Sequence, residues 1–310
     1  MARVAAVDLG TNSTRLLVAD VDGSRLADVA REARVTRLGE GVDERRRLLP
    51  VPITRVRNTL TDYRRTSEQL GAERTLAIGT SAVRDADNGE AFLGEVEWSY
   101  GFVTRRLSGH DEALLTYRGV TSGRPVRAGT LIVDVGGGST ELIAGEPDGV
   151  RWHDSLDIGS VRLTERFLRS DPPSVEELAA CAADVRALLA ERVPDEIREG
   201  TTSAIGVAGT ITTLAALADE SPLSAHALSA QLDRLARLPV AERRALPSLD
   251  PDRAPVIVAG ALIARETLSF FNLDELEVSQ RDVLDGAALA AAELPEEEEG
   301  AAPPGAYTCC

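Results

Sequence analysis

The chain has no lysine: all 34 of its basic residues are arginine. That excludes a Walker A loop, whose phosphate-binding lysine cannot be supplied. It equally excludes Schiff-base chemistry on a lysine amine. Histidine and cysteine are scarce, at three each. His110, His153 and His226 are scattered, so no histidine metal cluster is expected, and each is read as structural or solvated. Cys181 falls on the apolar face of a helical segment while Cys309 and Cys310 end the sequence, a spacing that spells neither a zinc site nor a disulfide framework. No apolar run approaches the roughly 20 residues that a membrane span requires. The opening Met-Ala-Arg-Val-Ala-Ala-Val-Asp reaches an acid almost at once and lacks signal-peptide architecture. The expectation is a cytoplasmic protein with no membrane partner. Positive charge is also short: 34 basic against 50 acidic residues leave a net −16, which argues against a nucleic-acid partner. A polyanionic substrate would have to be gripped locally, by arginines, backbone amides and metal.

What is present is ordinary in bulk and specific in pattern. With 310 residues, 43% hydrophobic and 27% charged, the chain is long enough for two domains with separate cores. An internal repeat then marks both halves. Val4 to Val18 and Thr130 to Ala144 superpose without a gap, matching Asp8 with Asp134, Gly10 with Gly136, and Ser13-Thr14 with Ser139-Thr140. Each copy reads as a buried strand, an Asp, a tight Gly/Ser/Thr turn and an antiparallel return strand. Glycines let backbone approach a ligand closely, and successive N–H groups with hydroxyls form a nest for phosphate oxygens. The candidate phosphate contacts are therefore Gly10, Thr11, Asn12 and Ser13 in the first turn, and Gly136, Gly137, Gly138 and Ser139 in the second. The leading Asp8 and Asp134 suit a divalent cation, which takes hard oxygen ligands. One such turn is merely a common hairpin signal; two in register point to a clamp on a phosphate chain.

Between the repeats, Arg34 to Val42 reads as a third strand and loop, and a helix is expected from about Pro52 with Val56, Leu60 and Tyr63 on one face. Arg74 to Gly79 reads as a buried strand, after which Thr80 or Ser81 can cap a helix that offers free N–H groups to an anion. Arg84, one turn inside, either contacts such an anion or pairs with Asp85 or Asp87. Ser108 with Asp111 makes a capping-box start, and Glu112 sits in the first turn, where an acid is favoured by the helix dipole alone. Thr121-Ser122-Gly123-Arg124-Pro125 is the clearest linker. Past the second repeat, Asp157 to Leu163 opens a helix and Ser174-Val175-Glu176-Glu177 caps a long one. Ser203 to Leu217 reads as strand, glycine turn and helix. Gly209 and Thr210 there can hold a phosphate or nucleoside group, or Gly206 and Gly209 can simply allow close strand–helix packing. A buried helix is expected over 251–268, a short strand over 276–279 and a last helix over 283–292. The assignment is a first domain over 1–122, a second over 123–293, and an acidic, proline-bearing tail over 294–310 without order.

Five stretches together resemble the Ppx/GppA family (exopolyphosphatase/guanosine pentaphosphate phosphohydrolase), of the acetate kinase/Hsp70/actin superfamily. They are Asp8-Leu9-Gly10-Thr11-Asn12-Ser13, Thr80 to Asn88, Ser108-Gly109-His110-Asp111-Glu112-Ala113, Asp134 to Glu141, and Gly206 to Thr213. The resemblance implies an α/β fold of two ribonuclease-H-like domains with the active site in the cleft between them. It implies Mg2+-assisted removal of terminal phosphate from polyphosphate, pppGpp or both, and a homodimer. It makes Glu112 the catalytic base and Asp134, Glu141 and Asp8 the metal-holding acids, with Arg15 and Arg84 as clamps on phosphate. A non-catalytic nucleotide sensor on the same fold is the alternative from another class. Two departures from the family pattern, Arg253-Ala254-Pro255-Val256-Ile257 and Ser279 to Gly286, fall in the second half and bear on remote substrate contacts more than on the chemistry.

Overall fold

The computed structural model describes residues 1–295. The predicted tail, with Cys309 and Cys310, falls outside the described residues except for its first two positions. In chain order the elements are β1 (Ala2–Leu9), β2 (Ser13–Asp22), β3 (Arg25–Val35), α1 (Val42–Arg45), α2 (Pro50–Gln69), β4 (Arg74–Gly79), α3 (Ser81–Asp85), α4 (Gly89–Tyr100), β5 (Val103–Arg106) and α5 (Gly109–Thr121). There follow β6 (Thr130–Val135), β7 (Thr140–Glu146), β8 (Gly149–Leu156), α6 (Ser160–Phe167), α7 (Val175–Arg192), α8 (Asp195–Gly200), β9 (Ser203–Val207) and α9 (Ala208–Ala218). The last are β10 (Leu223–Ser224), α10 (Ala225–Arg237), α11 (Val240–Arg243), α12 (Ile257–Phe270), β11 (Glu275–Val278) and α13 (Val283–Ala291). They form two compact units: Met1–Arg124 together with the segment from Val283, and Pro125–Asp282.

The first unit is built on a sheet of order β3-β2-β1-β4-β5. Strands β1, β2 and β3 make an antiparallel meander, and β4 and β5 run parallel to β1 through helical crossovers. β1 is an unbroken apolar run because both its faces are covered. Ala5, Val7 and Leu9 pack with Val56, Leu60 and Tyr63 of α2. The alternate residues Val4 and Ala6 pack with Leu284, Ala287 and Ala288 of α13. Sequence order alone assigns this last helix to the second domain, over 123–293. Its partners are the strands of the first sheet.

The second unit repeats the plan as β10-β11-β9-β6-β7-β8. β6, β7 and β8 form the meander, β9 and β11 continue the sheet in parallel, and β10 adds antiparallel to β11. Its core joins Leu131, Val133 and Val135 to Cys181, Val185 and Leu189 of α7 and to the buried helix α12. Burial pushes the Cys181 thiol up to about 12, so this cysteine packs as a small hydrophobe. The capping box at Ser174 forms as expected, and hydrogen bonds from the Ser170 hydroxyl and the Ser174 and Ser170 amides hold the Glu177 carboxyl down at about 2.

Three boundaries differ from expectation. The third strand begins at Arg25, well before Arg34; it is a charged edge strand with little apolar periodicity, defined by its pairing with β2. α2 starts at Pro50. α12 starts at Ile257, and 251–256 are turns, since Pro255 disfavours helix at the residue before it. Among the described residues no helix is long and apolar enough to cross a membrane.

Candidate active site

Each repeat folds as a hairpin closed by one backbone bond, Gly10 N–H to Ser13 O at 3.1 Å and Gly136 N–H to Ser139 O at 3.0 Å. A Cβ at Gly10 or Gly136 would press on that same carbonyl, at 2.8 and 3.0 Å, so the turn needs glycine there. The register sets Asp8 opposite Arg15 and Asp134 opposite Glu141, and opposed residues share a face of the sheet. The two copies are therefore electrically unlike. In the first, Asp8 Oδ2 accepts from Arg15 Nε at 2.9 Å and lies 2.8 Å from Nη2. In the second, two carboxylates share a face, with Asp134 5% and Glu141 1% exposed. Glu141 Oε1 accepts from Ser155 Oγ, directly across on β8, at 2.8 Å.

The first turn also carries unsatisfied polar atoms. Both amide atoms of Asn12 and the Ser13 hydroxyl are buried with no hydrogen-bond partner in the protein. Leaving a buried polar group unpaired costs about 1–3 kcal/mol, so native proteins rarely tolerate three together. Thr11 is spent differently: its hydroxyl accepts from Ala82 N–H at 3.2 Å, in the first turn of α3. The expected cap by Thr80 or Ser81 does not form. Thr80 occupies the N-cap position without a side-chain cap bond, and the Thr11 hydroxyl takes up an amide of that turn.

Arg84, from α3, donates through Nη1 to Glu112 Oε2 at 2.7 Å and to Leu107 O at 3.3 Å. Glu112 is buried, 6% exposed. Below it Ser108 and Asp111 form the expected capping box, and the Ser108 hydroxyl holds the Asp111 carboxyl below its ordinary value. Asp111 thus starts the helix, and Glu112 faces the half-buried Arg84.

The third unit divides between its two readings. Close packing accounts for Gly206, where a Cβ would meet Leu276 Cδ1 at 1.9 Å. Gly209 lies instead under the Arg253 guanidinium, whose Nη1 would be 2.5 Å from such a Cβ. Thr210, next in α9, is buried. From sequence, Arg253 falls at a helix start and within a departure from the family pattern, and Ser155 and Arg162 have no assigned role; Ser155 is legible once β8 is paired with β7. Among the described residues, no three histidine, cysteine or acidic side chains converge as a metal cage.

A meander extended by parallel strands, present twice with a glycine hairpin in each copy, defines two α/β units built on one plan. A sequence model of the Ppx/GppA phosphatase family matches residues 17–293. The Exopolyphosphatase 2 of Mycobacterium tuberculosis is 40% identical over 326 residues, covering 94% of this chain and 99% of its own. Among solved structures, an exopolyphosphatase-like protein is 32% identical with a TM-score of 0.87, covering 93% of this chain and 97% of its own. The type II variant of the Aquifex aeolicus Ppx/GppA phosphatase is 32% identical with a TM-score of 0.72, covering 94% and 99%. The chain belongs to the Ppx/GppA phosphatase family.

Proposed function

We propose that the protein is an exopolyphosphatase, a hydrolase that cleaves the terminal phosphoric anhydride of inorganic polyphosphate. The observation that carries the reading is the buried, unpartnered Asn12 amide and Ser13 hydroxyl at a glycine turn, which an anionic oxygen would satisfy. Relatives named as exopolyphosphatases and aligned with nearly the whole chain support it. Water attacks the terminal phosphorus in line, and Glu112 orients it and accepts its proton. Arg84 holds the Glu112 carboxylate in place through its 2.7 Å bond. The Thr11 amide, the Asn12 side chain, the Ser13 hydroxyl and the amides of Gly137, Gly138 and Ser139, with Gly209 and Thr210, are the proposed contacts to phosphate oxygens. Asp8 fixes the Arg15 guanidinium as a planar fork for the same anions. No covalent intermediate is needed, so positioning and electrostatics supply the rate.

Mg2+ is the cofactor this reading requires, and the donors suit it. Asp134 and Glu141 would hold it through hard oxygens on one face, Ser155 orients Glu141, and Asp8 is the third candidate acid. Two carboxylates suit an ion that keeps several waters and takes its other ligands from phosphate. When bound, the ion neutralises charge on the transferring phosphoryl group. Asp134→Asn is expected to weaken Mn2+ binding, titrated calorimetrically without substrate, by roughly tenfold or more. Unchanged affinity would remove the pair from the metal site.

The deciding assay is phosphate release with Mg2+ from long polyphosphate, tripolyphosphate, pppGpp and ATP, with light scattering to read the proposed homodimer and fractionation the proposed cytoplasmic location. Release from polyphosphate is expected. Release confined to pppGpp would move the assignment to a pppGpp phosphohydrolase, and tight (p)ppGpp binding without any release would make the protein a sensor.

A further inference from the structure

We propose that Arg162 and Gly159 are positioning residues that aim the amides of the second glycine turn at the phosphate; the phosphate itself rests on the function proposed above. The three carbonyls of this turn all bond to one segment. Ser160 N–H donates to Gly136 O at 3.0 Å, Val161 N–H and Arg162 N–H donate to Gly137 O at 2.8 and 3.1 Å, and Arg162 Nε donates to Gly138 O at 2.6 Å. In a planar trans peptide, the C=O of one residue and the N–H of the next point in opposite directions. Anchoring the carbonyls of residues 136, 137 and 138 on α6 therefore turns the N–H groups of Gly137, Gly138 and Ser139 away from it. Among the described residues, none of those three N–H groups donates to another protein group. They form an oriented set of donors, as an anion nest requires, and the start of α6 determines where they point.

Gly159 makes this seat possible by its size. Its φ of −147° and ψ of 161° are open to any residue, so conformational freedom is not the reason for glycine. A Cβ there would meet Gly137 O at 2.4 Å and the carbonyl carbons of Gly137 and Gly138 at 2.5 and 2.6 Å. The turn lies directly on the Gly159 backbone. The first repeat has a matching seat made of backbone alone: Thr36 and Arg37 N–H hold Asn12 O, Gly39 N–H holds Thr11 O, and a Cβ on Gly39 would strike Thr11 Cγ2 at 2.2 Å. The second seat adds a side chain. Arg162 is 7% exposed, a buried guanidinium whose Nε bond goes to the turn.

The test uses the full chain with Arg162→Met, Arg162→Lys and Gly159→Ala, reading kcat, KM and folded fraction. Arg162→Met and Gly159→Ala are expected to lower kcat on tripolyphosphate roughly 10- to 100-fold, the scale of a small misplacement of a reacting group, with the folded fraction unchanged. Arg162→Lys keeps a donor for Gly138 O and is expected to recover most of that loss. A kcat for Arg162→Met within about twofold of the parent, or a loss that merely tracks unfolded protein, overturns the proposal. If the parent protein hydrolyses none of the substrates, the functional reading falls and amide exchange decides. Gly159→Ala should then strip protection from the Ser160, Val161 and Arg162 amides by about tenfold while α7 keeps its own; unaltered protection overturns the proposal.

Discussion

Glu112→Gln is expected to lower kcat for polyphosphate by about 10²- to 10⁴-fold, the usual contribution of a positioned base, while the protein stays folded. The amide is nearly isosteric with the carboxylate, and its oxygen can still accept from Arg84 Nη1, which lies 2.7 Å from Glu112 Oε2. Helix α5 keeps its start, because the capping box uses Ser108 and Asp111 and not Glu112. What is lost is the ability to take a proton from water. KM should change little, since Glu112 is not among the groups assigned to the ground-state phosphate. Arg84→Met is the companion variant: it leaves the base but removes the bond that orients it, so its kcat should fall by less. Phosphate release measured beside thermal melting separates chemistry from folding. A Glu112→Gln enzyme that turns over at the parent rate would show that another group activates the water.

The parts of this site that are local in sequence were legible there. The two hairpins follow from Asp8 to Ser13 and Asp134 to Ser139 alone, and the capping boxes at Ser108 and Ser174 are written in four residues each. Even the electrical difference between the turns was readable: once Gly10 bonds Ser13, strand register puts Asp8 across from Arg15, and the same arithmetic puts Asp134 across from Glu141. Pairing between distant elements was not readable. Arg84 and Glu112 are 28 residues apart, on helices whose relative placement depends on the order of β4 and β5. Glycine had two meanings that sequence cannot separate, which is why Gly206 turned out to be packing while Gly209 lies under an arginine. β3 begins at Arg25, nine residues before its expected start at Arg34, because a solvated edge strand draws its structure from its neighbour and shows little pattern of its own. The destination of α13 was hidden for a related reason: a helix buried on every side needs a covering surface, and nothing local says which.

That helix carries the second large expectation. A chain ending at Asp282 should lose the fold of its first unit, because Val4, Ala6, Leu17, Leu76 and Ile78 would all be uncovered on one face of the sheet. Burial of this kind stabilises by roughly 25 cal/mol per Å² of apolar surface, and a marginally stable domain does not survive losing one of its two cores. The graded version is Leu284→Ala. Leu284 is 1% exposed, and truncating such a side chain costs about 2–5 kcal/mol. Asp285→Asn should cost less. Its carboxylate is fully buried against Arg31 Nη2 at 2.6 Å, but Arg31 also bonds Asp28 and is itself partly solvated. Arg74 adds a terminal tie, donating to the Ala292 and Leu294 carbonyls at 3.1 and 2.7 Å, where a cation also suits the helix dipole. Peptide-resolved hydrogen exchange distinguishes the units directly. In Leu284→Ala, β1 and β4 should lose protection while β6 and β9 keep theirs. The reverse pattern would mean that α13 stabilises the second unit, and that its position at the end of the sequence was the better guide.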